Sequence, residues 1–187
     1  MNIIRIIGGR WKRTPILVPY IDGLRPTPNR VRETLFNWLG QDLSGWRCLD
    51  LFAGTGALSF EAASRGAARV LMVEHNPYAA QQLYLIKIKL KANSIKIVKA
   101  NAFCIISTLT SRSFDLIFLD PPFRDVITLK RSLEFVPKLI DRGGFIYVES
   151  NSRLELSKYD ALSNWYIVRD GKAGSVFYHL LRRKEDK

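Results

Sequence analysis

The sequence has little from which to build cross-links or metal centres. Its 187 residues include only two cysteines, Cys48 and Cys104, too few for a disulfide framework and lacking metal-ligand spacing. Cys48 opens an apolar run and is expected as a small core residue. The two histidines, His75 and His179, stand far apart, so no metal-ligand cluster is expected. No apolar stretch is long enough to span a membrane, and the N-terminus has no hydrophobic signal core, so the expected compartment is the cytoplasm. Internal repeats and low-complexity segments are missing too. Acidic residues are scarce: 17 Asp and Glu against 29 Lys and Arg give a formal charge of +12, which points to a polyanionic partner. The imbalance is local. Residues 1–32 carry Arg5, Arg10, Lys12, Arg13, Arg25, Arg30 and Arg32 against the single acid Asp22, with Trp11 and Tyr20 interleaved. A second basic run, Lys87, Lys89, Lys91, Lys96 and Lys99, contains no acid.

What is present reads as one domain with a modest extension. Segments 3–7 and 16–18 suggest a short hairpin with Gly8-Gly9 in its connection. Pro26 and Pro28 break the chain, and Asn29 is placed to cap a helix through Trp38 with Val31, Leu35 and Trp38 on one face. Strands to Leu51 and Val73, over 95–98 and to Leu119, and over 145–149 then alternate with expected helices at 57–65, 77–92, 103–110 and 127–141. The last helix is expected to end at Gly143-Gly144. Near-continuous apolar strands separated by helices indicate an α/β fold with a mostly parallel sheet covered on both faces. The tail, 165–169 and 175–181, suggests an antiparallel pair at the sheet edge.

Two motifs carry chemistry. Asp50-Leu51-Phe52-Ala53-Gly54-Thr55-Gly56 leaves a strand and enters a helix expected to be amphipathic through Leu58, Glu61, Ala62 and Arg65. Glycines in such a turn let a ligand approach the backbone. Asp50 could reach the positively charged end of that ligand or the backbone of the turn. The next strand ends in Glu74, close to where an acid binds a ribose hydroxyl in nucleotide-type βαβ units. A dinucleotide fingerprint requires a third glycine where this chain has Ser59. The second motif, Asp120-Pro121-Pro122-Phe123, follows the buried run 114–119. It reads as a clamp for a planar ring bearing an amine: Asp120 and the Pro121 carbonyl accept the amine hydrogens, and Phe123 stacks on the ring. Gly54, Glu74, Asn101 and Asp120 all fall at the carboxyl ends of strands, where open α/β sheets bind ligands.

Together these motifs resemble the S-adenosylmethionine-dependent methyltransferases that modify exocyclic amines. Arg25-Pro-Thr-Pro-Asn-Arg-Val-Arg-Glu-Thr-Leu-Phe-Asn-Trp-Leu39, the Asp50–Leu58 loop, Glu61-Ala-Ala-Ser-Arg-Gly-Ala67, Arg5-Ile-Ile-Gly-Gly-Arg10 and Lys172-Ala-Gly-Ser-Val-Phe-Tyr178 are similar to the RsmD family. That family methylates the 2-amino group of a guanine in bacterial 16S ribosomal RNA. The resemblance covers nearly the whole chain and implies a Rossmann-like class I methyltransferase fold, with an N-terminal hairpin extension over 1–24 and a methyltransferase domain over 25–187. It implies S-adenosylmethionine as cofactor, held by Arg25, Thr27, Asp50, Phe52, Ala53, Gly54, Gly56, Glu74, Asn101 and Ala102. Catalysis falls to Asp120, Pro121, Pro122 and Phe123, and RNA contacts to Arg10, Trp11, Lys12, Arg13 and Arg30. The expected partner is 16S rRNA in an assembled or partly assembled small subunit, met by a monomer without a metal. Asn101 departs from the aspartate usual in such enzymes, where its carbonyl can still accept a hydrogen bond from the adenine amine. The alternatives are methylation of another RNA base or DNA adenine, because an amine clamp does not identify its ring, and a non-catalytic RNA-binding module.

Overall fold

The computed structural model describes residues 2–18, 20–122 and 125–184; Phe123, the expected stacking residue, lies outside them. Strands β1 (Asn2–Arg5) and β2 (Pro15–Val18) form the separate two-stranded hairpin. Helix α1 (Asn29–Leu39) follows, and then the alternating core: β3 (Arg47–Asp50), α2 (Ala57–Ser64), β4 (Arg69–Glu74), α3 (Pro77–Leu90), β5 (Ile95–Lys99), α4 (Ala102–Ile106), β6 (Phe114–Leu119), α5 (Val126–Phe135) and β7 (Ile140–Ser150). The chain closes with β8 (Trp165–Ala173) and β9 (Val176–Arg183). The sheet order is β5-β4-β3-β6-β7-β9-β8. Its first five strands are parallel, and β9 pairs antiparallel with both β7 and β8. This is the mostly parallel, Rossmann-like sheet with an antiparallel C-terminal edge and an added hairpin that the sequence implies.

Successive strand residues point to opposite faces. Cys48, Phe118 and Tyr147 join a core with Val31, Leu35 and Phe36 of α1, Phe60 of α2, Leu83 of α3 and Ile4, Ile6 and Ile16 of the hairpin. Leu49, Ile117, Leu119 and Val148 join the opposite core with Ile106 of α4 and Leu129 and Leu133 of α5. The strand order reverses between β3 and β6, which opens a crevice beyond their carboxyl ends. Asp50 closes one of those strands and Asp120 follows the other.

Four local expectations are corrected. Helix α2 is not amphipathic: all its residues are buried. Its outer face is covered by the hairpin tip, whose Ile7 and Gly8 amides each donate to Glu61 at 2.8 Å. The Arg10 amide donates to the Ser64 carbonyl at 2.7 Å, and the Trp11 amide donates to Ser64 Oγ at 2.9 Å. Glu61 also holds two buried guanidiniums, Arg32 at 3.3 Å and Arg65 at 2.9 Å. Second, Asn29 does not cap α1. The cap position is Pro28, and Asn29 Oδ1 instead accepts from Arg32 Nη2 at 2.6 Å. Third, Trp38 leaves the buried face of α1 and stacks on Tyr178 at 5.4 Å, while Phe36 takes the inner position. Finally, Gly143-Gly144 lie within β7 and end no helix. Helix α5 stops at Phe135, a 3-10 turn over Val136–Lys138 intervenes, and β7 pairs Ile140 with Phe114 before a register shift to Phe145 opposite Leu116.

Candidate active site

The carboxyl ends of β3, β4, β6 and β7 each carry an acid: Asp50, Glu74, Asp120 and Glu149. Glu74 is 6% exposed. Its Oε2 accepts from the Gly54 amide at 2.8 Å and its Oε1 from the Asn76 amide at 2.7 Å. The carboxylate therefore fixes the glycine turn to the end of β4, and each oxygen keeps a lone pair for a further donor. At Gly56, φ is +76° and a Cβ would stand 2.6 Å from the Phe60 ring. Only glycine admits both that conformation and that contact. Phe52 is half-buried and Ala53 buried in the same turn.

Asp50 does not reach outward. It is 2% exposed, accepts from Ser59 Oγ at 2.7 Å and from the Phe52 amide at 3.4 Å, and so braces the turn against α2. Burial pushes its pKa up to about 7, against the lowering effect of those hydrogen bonds. Asn101 is exposed and caps α4, its Oδ1 accepting from the Phe103 amide at 2.9 Å. Its carbonyl is already engaged once and retains one acceptor position. Ala102 is buried behind it.

Asp120 is half-buried, Pro121 buried and Pro122 exposed. Burial first, then the negative charges of Glu149 and Asp50, hold the Asp120 carboxyl well above the ordinary carboxylate range. Thr27, placed with the cofactor contacts by the sequence resemblance, is buried with its hydroxyl 3.5 Å from Asp120 Oδ2. Arg25 is exposed. Beside the clamp lies a cavity of about 500 Å³, bordered by Asp120, Pro121, Pro122, Glu149, Asn151 and Arg153 among others. Glu149 is the residue that sequence reasoning missed. Its signal was available, because 145–149 is an apolar strand ending in an acid, as 114–120 is. Among the described residues no group of His, Cys, Asp and Glu could hold a metal.

The residues expected to meet RNA are gathered only in part. Arg10, Lys12 and Arg13 are exposed around the hairpin tip, and Arg30 is exposed at the start of α1. Trp11 is half-buried against the core, with the Arg10 guanidinium 6.0 Å from its ring. Among the described residues no helix is long and apolar enough to cross a membrane.

Comparison with known proteins places the chain in a family. Residues 4–182 match the family described as conserved hypothetical protein 95. The chain is 40% identical to ribosomal RNA small subunit methyltransferase D of Escherichia coli, over 97% of this chain and 90% of that one. It is 34% identical to the protein of the same name from Haemophilus influenzae, over 95% and 92%. The solved structure of yhhF from Escherichia coli superposes with a TM-score of 0.84 at 37% identity, covering 99% of this chain and 100% of that one. A precorrin-6y methyltransferase from Geobacter metallireducens, at 18% identity and a TM-score of 0.68, shares the fold alone. Matched over nearly its whole length by the family model and by these relatives, the chain belongs to this family, the RsmD methyltransferases.

Proposed function

We infer that this enzyme transfers the methyl group of S-adenosylmethionine to the exocyclic 2-amino group of a guanine in 16S rRNA of the small ribosomal subunit. One observation carries the reading: a glycine turn braced by a buried acid, Glu74, stands at the same sheet edge as the Asp120-Pro121 amine clamp, and a cavity opens beside the clamp. The residues fit the cofactor. Gly54 and Gly56 let the turn pack closely under Leu24, Phe60 and Leu83, Glu74 keeps acceptor positions for ribose hydroxyls, and Asn101 keeps one for an amine. When bound, S-adenosylmethionine supplies a methyl group on a positively charged sulfur. Asp120 and Glu149 bring carboxyl oxygens to the crevice, and no ion pair engages them among the described residues.

The protein's own work is on the amine. Guanine's exocyclic nitrogen is a poor nucleophile because its lone pair is delocalised into the ring. Asp120 and the Pro121 carbonyl, each accepting one hydrogen, favour a pyramidal nitrogen with its lone pair turned toward the cofactor side. Holding both reactants in that alignment removes much of the entropic barrier. Asp120, ionised beside a sulfonium charge, then takes the proton that the nitrogen sheds, and its raised pKa makes it the stronger base. The base must be unpaired or flipped to enter the cavity. Arg10, Lys12, Arg13 and Arg30 are read as phosphate contacts, Trp11 as their aromatic neighbour, and the hairpin over 1–24 as an RNA-facing extension of the catalytic domain. The substrate context is read as an assembled or partly assembled subunit, the enzyme as a monomer, and its location as the cytoplasm.

Labelled methyl incorporation into small subunits, free 16S RNA and duplex DNA, followed by mass-spectrometric mapping, tests this reading. Label on the 2-amino group of one guanine in the RNA is the expected result. Label confined to adenine or to DNA refutes it.

A further inference from the structure

Among the described residues, Glu149 is a buried acid without a cationic partner. It is 6% exposed, yet no lysine or arginine pairs with it among the described residues. Its Oε1 accepts from Tyr147 Oη at 2.8 Å, and the Thr27 hydroxyl, which donates to Asp120, lies close enough to favour its ionised form. These contacts hold the carboxylate in place without using all its lone pairs. Leu119 and Val148 are register partners on β6 and β7, so Asp120 and Glu149 follow side by side at adjacent strand ends. Thr27 touches both, and both border the same cavity. A buried, oriented and unneutralised acceptor is costly to fold unless something placed in the cavity donates to it.

The chemistry of the bases says what that donor is. The clamp takes an exocyclic amine, so the group beside it must be a ring atom flanking that amine. In adenine and in cytosine the flanking ring nitrogen is an acceptor. In guanine, alone among the RNA bases with an amine, one of the two flanking nitrogens, N1, carries a hydrogen. Two acids from neighbouring strands, about 4.8 Å apart, suit an edge that presents adjacent N–H donors and repel one that presents a lone pair. We propose that Glu149 is the specificity-determining residue of the site, accepting the N1–H of guanine and rejecting any base that has no ring N–H beside its amine. Burial raises the Glu149 pKa only to about 6, which leaves it ionised near neutral pH.

This inference rests on the assignment of Asp120 and Pro121 as the amine clamp, and the test keeps the two separable. Once the methylated guanine is mapped, RNA is synthesised with guanine, or with 2,6-diaminopurine, at that position. The analogue keeps the 2-amino group but has an acceptor at N1. Wild-type enzyme is expected to methylate guanine at least ~100-fold faster, as sites built to bond a substrate N–H reject analogues lacking it. Glu149→Gln, whose amide can donate to N1, is expected to lose rate on guanine, gain rate on diaminopurine and narrow the ratio at least tenfold. Calorimetry with S-adenosylmethionine checks that the variant is folded. Wild type accepting both bases equally overturns the assignment of Glu149 without any variant, as does an unchanged ratio in Glu149→Gln. Failure of the clamp itself shows differently, as guanine methylation that survives Asp120→Ala.

Discussion

The hairpin tip offers a controlled perturbation, because two glycines share a backbone conformation but not a neighbourhood. Gly9 has φ +71° and Gly23 has φ +78°. A Cβ on Gly23 would meet nothing within 4 Å, whereas on Gly9 it would stand 1.9 Å from the Ser64 carbonyl oxygen. Gly23→Ala therefore reports the left-handed conformation alone, ~1–2 kcal/mol less the ~0.4–1 kcal/mol regained from a stiffer unfolded chain. Gly9→Ala adds a clash with backbone that cannot rotate aside, so the tip must lift from α2. Lifting strains or breaks three bonds: Arg10 N–H to the Ser64 carbonyl, Trp11 N–H to Ser64 Oγ, and Ser64 Oγ–H to the Gly8 carbonyl. At ~1 kcal/mol each, the variant should be destabilised by roughly 4 kcal/mol, against about 1 kcal/mol for Gly23→Ala. With a urea slope of roughly 2 kcal/mol/M, the Gly9→Ala midpoint should fall by about 2 M and that of Gly23→Ala by less than half as much. Equal midpoints in the two variants would refute the reasoning, since they would mean that the tip does not rest on Ser64. Cofactor affinity should survive in Gly9→Ala at low denaturant, because Glu74 and the glycine turn keep their bonds.

Asp120→Ala should abolish methyl transfer with S-adenosylmethionine affinity nearly unchanged, as measured by single-turnover kinetics and calorimetry; near-wild-type turnover contradicts the clamp. Asp50 is buried with its pKa raised to about 7 from an ordinary 3.8. It therefore costs no stability below pH ~4, where both folded and unfolded chains bind its proton, and a growing amount as pH rises through 7. Asp50→Asn should be increasingly stabilising over that window, by up to ~4 kcal/mol at pH 8; a difference in urea stability that is flat with pH refutes the shift. Replacing Arg10, Lys12 and Arg13 together with Gln should weaken RNA binding and reduce its salt slope by roughly one unit per lost phosphate contact. Thermal stability should hardly change, since these side chains are exposed; an unchanged salt slope would place the RNA elsewhere, on the Lys87–Lys99 face.

The alternation of parallel strands with helices along the chain was legible because it depends on local chemistry. Apolar runs ending in Asp50, Glu74 and Asp120 announce strands whose tips do something other than pack. Long-range contacts were not legible. Helix α2 looked amphipathic because Glu61 and Arg65 are charged, and no local rule says that Glu61 will be buried under backbone amides from the chain's beginning. Asn29 fits an N-cap by type, but an arginine one turn later, Arg32, claims its oxygen. Gly143-Gly144 carries the same helix-stop signal as a true terminus, and only pairing across to Phe114 and Leu116 reveals a bulged strand. Thr27 and Glu149 come from distant parts of the chain, and their meeting with Asp120 is a property of the folded sheet.

The Glu61 latch has a consequence for the order of assembly. Its bond to the Ile7 amide joins residues 54 positions apart, so the arm is synthesised early yet has nothing to dock on until α2 has formed. Closing so long a loop belongs late in folding, after the nearer strand–helix contacts have been made. Mutations in the latch should therefore speed unfolding more than they slow refolding. An arm-deleted enzyme would also leave Glu61 without the Ile7 and Gly8 amides and Arg32 without the Arg5 carbonyl, so truncation would damage the rest of the fold while removing the basic tip. The arm and the helix beneath it are bound to vary together.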